Sequence, residues 1–416
     1  MKKAFVGILV LFFAKNSFSF TAGNCKYKDL VLGYLEEGYS YNCVSYTPWN
    51  CPCAPTMCDP ITQGTLTSQR LWPASITYVW GEGAYAPLDK INYFAIRWRG
   101  VFYGSGEHTF YCTTDDGCRG TLFFPSYPGA GTSSSLTFSD GSSCWRGRGG
   151  SNPTLTECSV KVNLPSAGYH LLLLDYFEAA TNARATFGWD PPDPHGKVSP
   201  IPYHRFMAQG VRMKVYSGTN FNSLACYRYV YSITFPSSEY PFWDTSTKGG
   251  CVGLVDNFSV RFTGFIIAPS DGTYRFCTVT DDGVRFYLDT NDDGELELLI
   301  DKWIPQGATE WSSNNVTLTR GPHAFLMEYY EGGGDAVARL GWGSNCDGNI
   351  GTFTPIPPNY LVMIDEECGG NEPSTEGGGG GMFGCSYFRG KFLIYPILFI
   401  FITAIFIRII LKRGEA

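Results

Sequence analysis

Histidine is scarce in this sequence, with five in 416 residues, and no pair of them has the spacing that holds zinc on a helix. There is no nucleophile elbow and no glycine-rich phosphate loop. These gaps remove the usual supports for hydrolytic and nucleotide chemistry, and the sequence reads as non-enzymatic, with no catalytic residue to nominate. Basic charge is short as well. Lys and Arg number 31 against 38 Asp and Glu, a net charge of −7, which argues against nucleic acid as a partner. Helix-like periodicity is sparse. With charged residues at 17% and aromatics at 16%, the composition suits strands.

Long apolar runs are confined to the two ends. Lys2 and Lys3 precede an apolar core from Phe5 to Phe13, and Ser17 and Ser19 fit a small-x-small cleavage site. Residues 1–19 therefore read as a secretory signal peptide. Near the other end, Phe392 to Ile407 carries no charge and Ile409 to Leu411 extends it. Residues 392–411 read as one transmembrane helix, with Arg408 able to snorkel and Lys412 and Arg413 on the cytoplasmic side. Small residues, a spacer and an apolar tail also fit a lipid-anchor signal. Either reading places the protein at the cell surface; with the span it is a type I single-pass membrane protein, ectodomain outside and 412–416 inside.

Fifteen cysteines in a secreted chain imply disulfides, and the odd count leaves one over, for which Cys385 is the candidate. Cys51, Cys53 and Cys58 crowd together and read as staples of a loop-rich segment, with a metal knuckle as the alternative. Asn257 and Asn315 head N-x-S/T sequons and are candidate glycosylation sites; Asn152 is excluded by Pro153.

The interior is written twice. "YHLLLLDYFEAATNARATFGWD" from Tyr169 aligns without a gap to "PHAFLMEYYEGGGDAVARLGWG" from Pro322, matching His170 with His323, Tyr176 with Tyr329, Glu178 with Glu331 and Trp189 with Trp342. Upstream, "CTTDDG" at Cys112 pairs with "CTVTDDG" at Cys277 in the same order. This is a tandem duplication. "FSVRF", "TYRFCTV" and "VRFYLD" alternate apolar and polar residues between Gly-Asp-Ser-Pro turns, which predicts an all-β sandwich or barrel. Val284, Phe286 and Leu288 should face one side and Arg285, Tyr287 and Asp289 the other. Trp189 and Trp342 are expected in the cores, and His170 and His323 in structural roles.

"DDGVRFYLD", "LLIDKW", "GPHAFLMEYYEGGGDAVARLGW" and "IPPNYL" make the second copy resemble the protective-antigen-type (PA-14) β-sandwich domain over most of Val211 to Val362. The first copy keeps "TDDG", "YHLLLLDYFE" and "FGWD", but "CRGTLFFPSYPG" departs from the pattern. The expected layout is a Cys-rich start of the first domain at 20–62, the first domain at 63–205, the second at 206–365, and a glycine stalk at 366–391 ahead of the span.

Two carboxylates in succession invite an ion, since calcium takes hard oxygen ligands. Neighbouring side chains on a regular strand point to opposite faces, so a shared ion requires a distorted backbone such as a cis peptide. In lectin members of this family, the flocculin-type adhesins, the resemblance implies that arrangement. A cis Asp-Asp pair and a loop Asn hold calcium, which coordinates sugar hydroxyls. Carried over, the pair is Asp281 and Asp282 in copy two and Asp115 and Asp116 in copy one; the loop position is Asp335 and Asn182 respectively. The expected function is calcium-dependent binding of a glycan or glycoprotein in adhesion or recognition. The alternative is a protein–protein or structural surface module in which Asp-Asp-Gly only makes a turn with positive φ. A further acidic stretch, "DTNDDGELELLID", places Asp289, Asn291, Asp293 and Gly294 at positions 1, 3, 5 and 6 of an EF-hand loop, but position 12 is Ile300 and strands flank it. It reads as an enlarged, solvated hairpin turn, with an extra calcium site as the alternative.

Overall fold

The computed structural model describes residues 19–22, 25–41, 60–61, 65–81, 84–89, 92–124, 133–141, 143–145, 155–179, 183–192, 196–237, 243 and 254–368. Outside these lie the candidate signal peptide up to residue 18, Cys51, Cys53, Cys58, Asn182, Cys385, most of the expected stalk and the candidate span at 392–411. Among the described residues there are strands and short 3₁₀ turns but no α-helix, and no helix long and apolar enough to cross a membrane. They all belong to one compact unit, Met1–Ser374.

The duplication in the sequence is a duplication of strand order. The main sheet of copy one runs Thr65–Trp72, Tyr34–Ser40, Phe94–Thr114, Thr156–Glu178, Gly117–Phe123, Ser133–Leu136. That of copy two runs Ser223–Val230, Val211–Ser217, Phe258–Ala268, Gly321–Glu331, Val284–Leu288, Glu297–Lys302. All these pairings are antiparallel. The strand Gly117–Phe123 occupies the place of Val284–Leu288, although its sequence departs from the hairpin pattern. Tyr34–Ser40 holds the position of Val211–Ser217, so the first sandwich takes its second strand from the Cys-rich segment read as the start of the first domain.

In copy two a second sheet, Thr234–Phe235, Val337–Trp342, Phe276–Asp281, Thr309–Ser312, covers the main one. Val284, Phe286 and Leu288 are buried between the layers while Arg285 and Tyr287 are half-exposed, as alternation requires. Trp342 is buried in this core, and Trp189 in that of copy one. Cys277–Cys346 ties the inner strand of the second sheet to the loop after Trp342. In copy one the described disulfides are Cys112–Cys118 and Cys144–Cys158.

The run of four leucines, 171–174, has a physical reason. Leu172 and Leu174 face the core of copy one, whereas Leu171 and Leu173 join the core of copy two. A strand with both faces buried reads as continuous apolar sequence rather than alternation. Val101, Tyr169 and Met207 bury on the same side, and Tyr27 joins that core from the strand Cys25–Leu30, which pairs with Ile364–Cys368. Polar contacts lock the junction: Glu37 accepts from Arg99 Nε at 2.7 Å, Gln69 Nε2 at 3.0 Å and the Tyr231 hydroxyl, and the Arg99 guanidinium lies 3.6 Å over the Tyr231 ring. The two sandwiches therefore share a core instead of being joined by a free linker.

Candidate functional site

The strand Phe276–Asp281 ends where the chain turns into Val284–Leu288, which pairs with the central strand Gly321–Glu331. That geometry brings Asp281 and Asp282 against the end of the central strand. One carboxylate oxygen each from Asp281, Asp282 and Glu331 lies within 4.8 Å of the others. The Asp281–Asp282 peptide is cis, the arrangement expected for a shared ion. Asp282 is fixed from both sides, accepting at Oδ1 from Gln306 N at 2.8 Å and at Oδ2 from Gly332 N at 2.9 Å. The Gln306 side chain donates back to the Thr280 hydroxyl and the Asp282 carbonyl, and accepts from Trp311 Nε1. Loops 303–309 and 332–335 are thus pinned to the same carboxylate.

Sequence reasoning misses Glu331, although its pairing with Glu178 in the repeat is a signal for it. It is buried, and the Tyr329 hydroxyl, which donates to the Asp281 carbonyl at 2.5 Å, lies 3.1 Å from its Oε2. Its Oε1 is buried without a hydrogen-bond partner. Burial, then the charges of Asp282 and Asp281, push the Glu331 carboxyl up to about 7. Asp335, the expected loop ligand, is exposed and is not part of the three-oxygen group.

The residues present suit a hard cation. At calcium–oxygen distances of about 2.3–2.6 Å, ligand oxygens on one ion stand at most about 5 Å apart, and these three meet that limit. The orphaned Glu331 oxygen lacks the donor that burial demands. In copy one Glu178 Oε1 and Asp115 Oδ2 are likewise buried without a hydrogen-bond partner, while the remaining contacts of the two aspartates are made within the protein. Asp115 and Asp116 are both 2% exposed. Asp115 Oδ1 accepts from Asp116 N, Arg184 N and the Tyr176 hydroxyl, and Asp116 Oδ2 from Ala179 N at 2.7 Å. The Asp115–Asp116 peptide is not cis, and burial with the charges of Asp116 and Asp115 raises Glu178 to about 10.

The glycine of each Asp-Asp-Gly serves packing, not a turn with positive φ. Neither Gly117 nor Gly283 has positive φ. A Cβ on Gly283 would meet the Tyr330 ring at 2.2 Å, and one on Gly117 the Phe177 ring at 1.9 Å. Each of those rings also carries a tryptophan: Trp145 on Phe177 at 4.8 Å and Trp303 on Tyr330 at 4.7 Å. An arginine then covers each indole, Arg119 at 4.0 Å and Arg285 at 4.7 Å. Trp145 is buried, whereas Trp303 is half-exposed. Gly333 and Gly334 keep the facing loop open: a Cβ on either would meet no heavy atom within 4 Å. His170 and His323 stand apart from the site, buried and bonded to the backbone carbonyls of Gly104 and of Asp289 and Thr319. Asn257 and Asn315 are exposed.

Residues 238–350 match the PA14 domain family. The chain is 36% identical to anti-sigma-I factor RsgI3 of Acetivibrio thermocellus over 127 residues, 30% of this chain and 18% of that protein's length. Among solved structures, an anti-sigma factor domain-containing protein aligns with 80% of this chain and 99% of its own, at 22% identity and a TM-score of 0.30. The PA14 sugar-binding domain from an RTX adhesin aligns with 37% of this chain and 98% of its own, at 18% identity and a TM-score of 0.28. The Epithelial Adhesin 6 A domain of Candida glabrata, solved with Galb1-3GlcNAc, aligns with 46% of this chain and 91% of its own, at 14% identity and a TM-score of 0.28. The second sandwich of this chain is a PA14 domain, matched across residues 238–350.

Proposed function

We propose that the second sandwich is a calcium-dependent carbohydrate-binding module, used in adhesion or recognition. The observation that carries the reading is the convergence of Asp281, Asp282 and Glu331 oxygens within 4.8 Å, with a half-exposed Trp303 on the ring of Tyr330, the residue before Glu331. Asp281, Asp282 and Glu331 would hold the ion. A bound calcium offers further coordination positions to vicinal hydroxyls, the chemistry that sugars present. Asp282 is held by Gln306 N and Gly332 N, so its carboxylate is oriented before any ligand arrives. Trp303, backed by Tyr330 and Arg285, offers a fixed apolar face for the ring of a sugar. Copy one, with its carboxylates buried and hydrogen-bonded, serves as support. The PA14 domain of the RTX adhesin is described as sugar-binding and the Candida glabrata adhesin domain is in complex with a glycan, in line with this reading. With the signal peptide and span read from the sequence, the module would be displayed on the outside of the cell.

Glycan-array binding by the full chain tests the proposal. Binding should disappear in EDTA and in Asp281→Ala/Asp282→Ala, with the fold retained by circular dichroism. Glycan binding that persists unchanged in both would overturn it, and no glycan binding at all would favour a protein–protein module.

A further inference from the structure

The two disulfides of copy one meet in one place. The sulfurs of Cys112, Cys118 and Cys158 lie within 4.8 Å of one another, and Cys158 is bonded to Cys144. All four cysteines are buried in the core of copy one. The backbone pairs them differently from the bonds. Cys112 stands directly opposite Cys158 where Phe94–Thr114 meets Thr156–Glu178, and Cys118 N donates to the Cys144 carbonyl at 3.0 Å. Directly opposite residues of an antiparallel pair have Cα atoms about 4.5 or 5.5 Å apart, inside the range of about 4.4–6.8 Å that a disulfide spans. The present bridges span 6.7 Å for Cys112–Cys118 and 6.5 Å for Cys144–Cys158. A Cys112–Cys158 bridge therefore fits the strands as they stand.

The two bridges differ in their surroundings. Cys112 lies on a strand paired on both sides, with Cys158 opposite on one and Phe187 on the other. Cys144 follows the exposed Asp140, Gly141 and Ser143, and an Asp140 oxygen lies within 4.8 Å of the Cys144 and Cys158 sulfurs. The second bridge is thus the one near the surface. The first has a sequence separation of 6 and straps the turn that carries Asp115 and Asp116. In copy two Thr278 and Val284 stand in the places of Cys112 and Cys118. They lie opposite Leu340 and Tyr329, as the two cysteines lie opposite Phe187 and Tyr176. The strap therefore belongs to copy one and not to the shared domain pattern.

We propose that these four cysteines form a thiol–disulfide relay, through which a dithiol acting on the Cys144–Cys158 bridge opens the strap over Asp115 and Asp116. The dithiol gives two electrons to that bridge, closing its own disulfide and leaving Cys144 and Cys158 as thiols. Exchange proceeds by attack of a thiolate on a disulfide sulfur. The Cys158 thiolate attacks Cys112 Sγ, the residue it faces across the strands. The Cys112–Cys158 bond forms as Cys112–Cys118 breaks, and Cys118 leaves as a thiolate and takes up the proton that Cys158 gave up. No electrons are gained or lost in this second step. Its product holds Cys118 and Cys144 as neighbouring thiols, and the Asp115–Asp116 turn is no longer tied to Cys112. The relay does not depend on the reading of Asp281 and Asp282.

The test treats the full chain, natively folded, with a limiting amount of dithiothreitol. Exchange is stopped with excess N-ethylmaleimide in denaturant at mildly acidic pH, and labels and bridges are mapped by mass spectrometry after peptic digestion. Label on Cys118 and Cys144, with a Cys112–Cys158 linked peptide, is expected. Label on Cys144 and Cys158 with Cys112–Cys118 intact overturns the proposal. So does label on Cys112 and Cys118 with Cys144–Cys158 intact, or a cluster that stays unlabelled. Cys144→Ser removes the need for a reductant, because it leaves Cys158 as a free thiol against Cys112–Cys118. With the fold retained by circular dichroism, this variant should yield the Cys112–Cys158 peptide and shift the label to Cys118. Label confined to Cys158 would overturn the relay.

Discussion

Replacing Glu331 by Gln should change the stability of the protein with opposite signs in the absence and presence of calcium. Without metal, an ionised Glu331 sits buried with oxygens of Asp281 and Asp282 within 4.8 Å. At an effective dielectric constant near 20, two charges at that separation repel by roughly 3 kcal/mol. Removing one charge, less the cost of refitting an amide, should stabilise the metal-free protein at pH 8 by about 1–2 kcal/mol, or some 2–8 °C in Tm for a domain of this size. With calcium at a hundredfold excess over Kd, the wild type gains about 2.7 kcal/mol by linkage. The variant, short of one ligand, gains little, so the order of stability reverses.

The pH dependence follows from the same group. Glu331 is raised from its ordinary 4.5 to about 7 in the folded protein. The folded state then keeps the proton over a range where the unfolded chain has lost it, so stability is complete below about 4.5 and declines as pH rises through 7. Thermal unfolding followed by tryptophan fluorescence, in EDTA and in calcium from pH 4 to 8, reads both effects. A Gln variant less stable than wild type in EDTA at pH 8 would refute the electrostatic reasoning, because the cluster would then be held by something other than a missing cation.

Trp303→Ala should weaken glycan binding by roughly 1–2 kcal/mol, about 5–30-fold, with calcium affinity unchanged; a parallel loss of both in titration calorimetry would assign the indole a purely structural role. Tyr231→Phe removes a hydrogen bond to the buried Glu37 carboxylate, at a cost of about 1.5–3 kcal/mol. Because the cores are shared, denaturant unfolding should remain one transition, and two resolved transitions would show the sandwiches to be independent. Cys277 and Cys346 close a loop with a sequence separation of 69; Cys277→Ala/Cys346→Ala should cost about 4 kcal/mol by chain entropy, measured by the same unfolding. A loss below about 1 kcal/mol would mean that the second sheet holds that loop without the bridge.

The repeat and the strands are legible because period and order survive in the letters: "VRFYLD" alternates, and the blocks around Tyr176 and Tyr329 align. The strand Tyr34–Ser40 escapes such reading because its partner Thr65–Trp72 lies beyond a Cys-rich insertion that hides the hairpin. The shared core escapes it because four consecutive leucines look the same whether one domain or two cover them. At the site the two aspartates are visible, and Glu331 is visible only as a repeated letter. Loop residues such as Trp303 are not, since Trp145 and Trp303 stand at different distances from their glycines and reach equivalent rings only through the fold.

That equivalence explains how one motif supports two states. Both copies keep two aspartates, a glycine flattened under an aromatic ring, a glutamate and a tyrosine hydroxyl between them. In copy one Asp115 collects Asp116 N, Arg184 N and Tyr176, and Trp145 is buried with the rest, so the acids act as an internal hydrogen-bond hub. In copy two Asp281 is half-exposed and joined to Asp282 by a cis peptide, and one oxygen each from Asp281, Asp282 and Glu331 gathers within 4.8 Å. Each copy leaves a glutamate oxygen without a hydrogen-bond partner, Glu178 Oε1 and Glu331 Oε1, so that feature does not separate them. The difference between the copies lies in the backbone and in exposure, since only the Asp281–Asp282 peptide is cis and only Asp281 is half-exposed, not in the acids themselves.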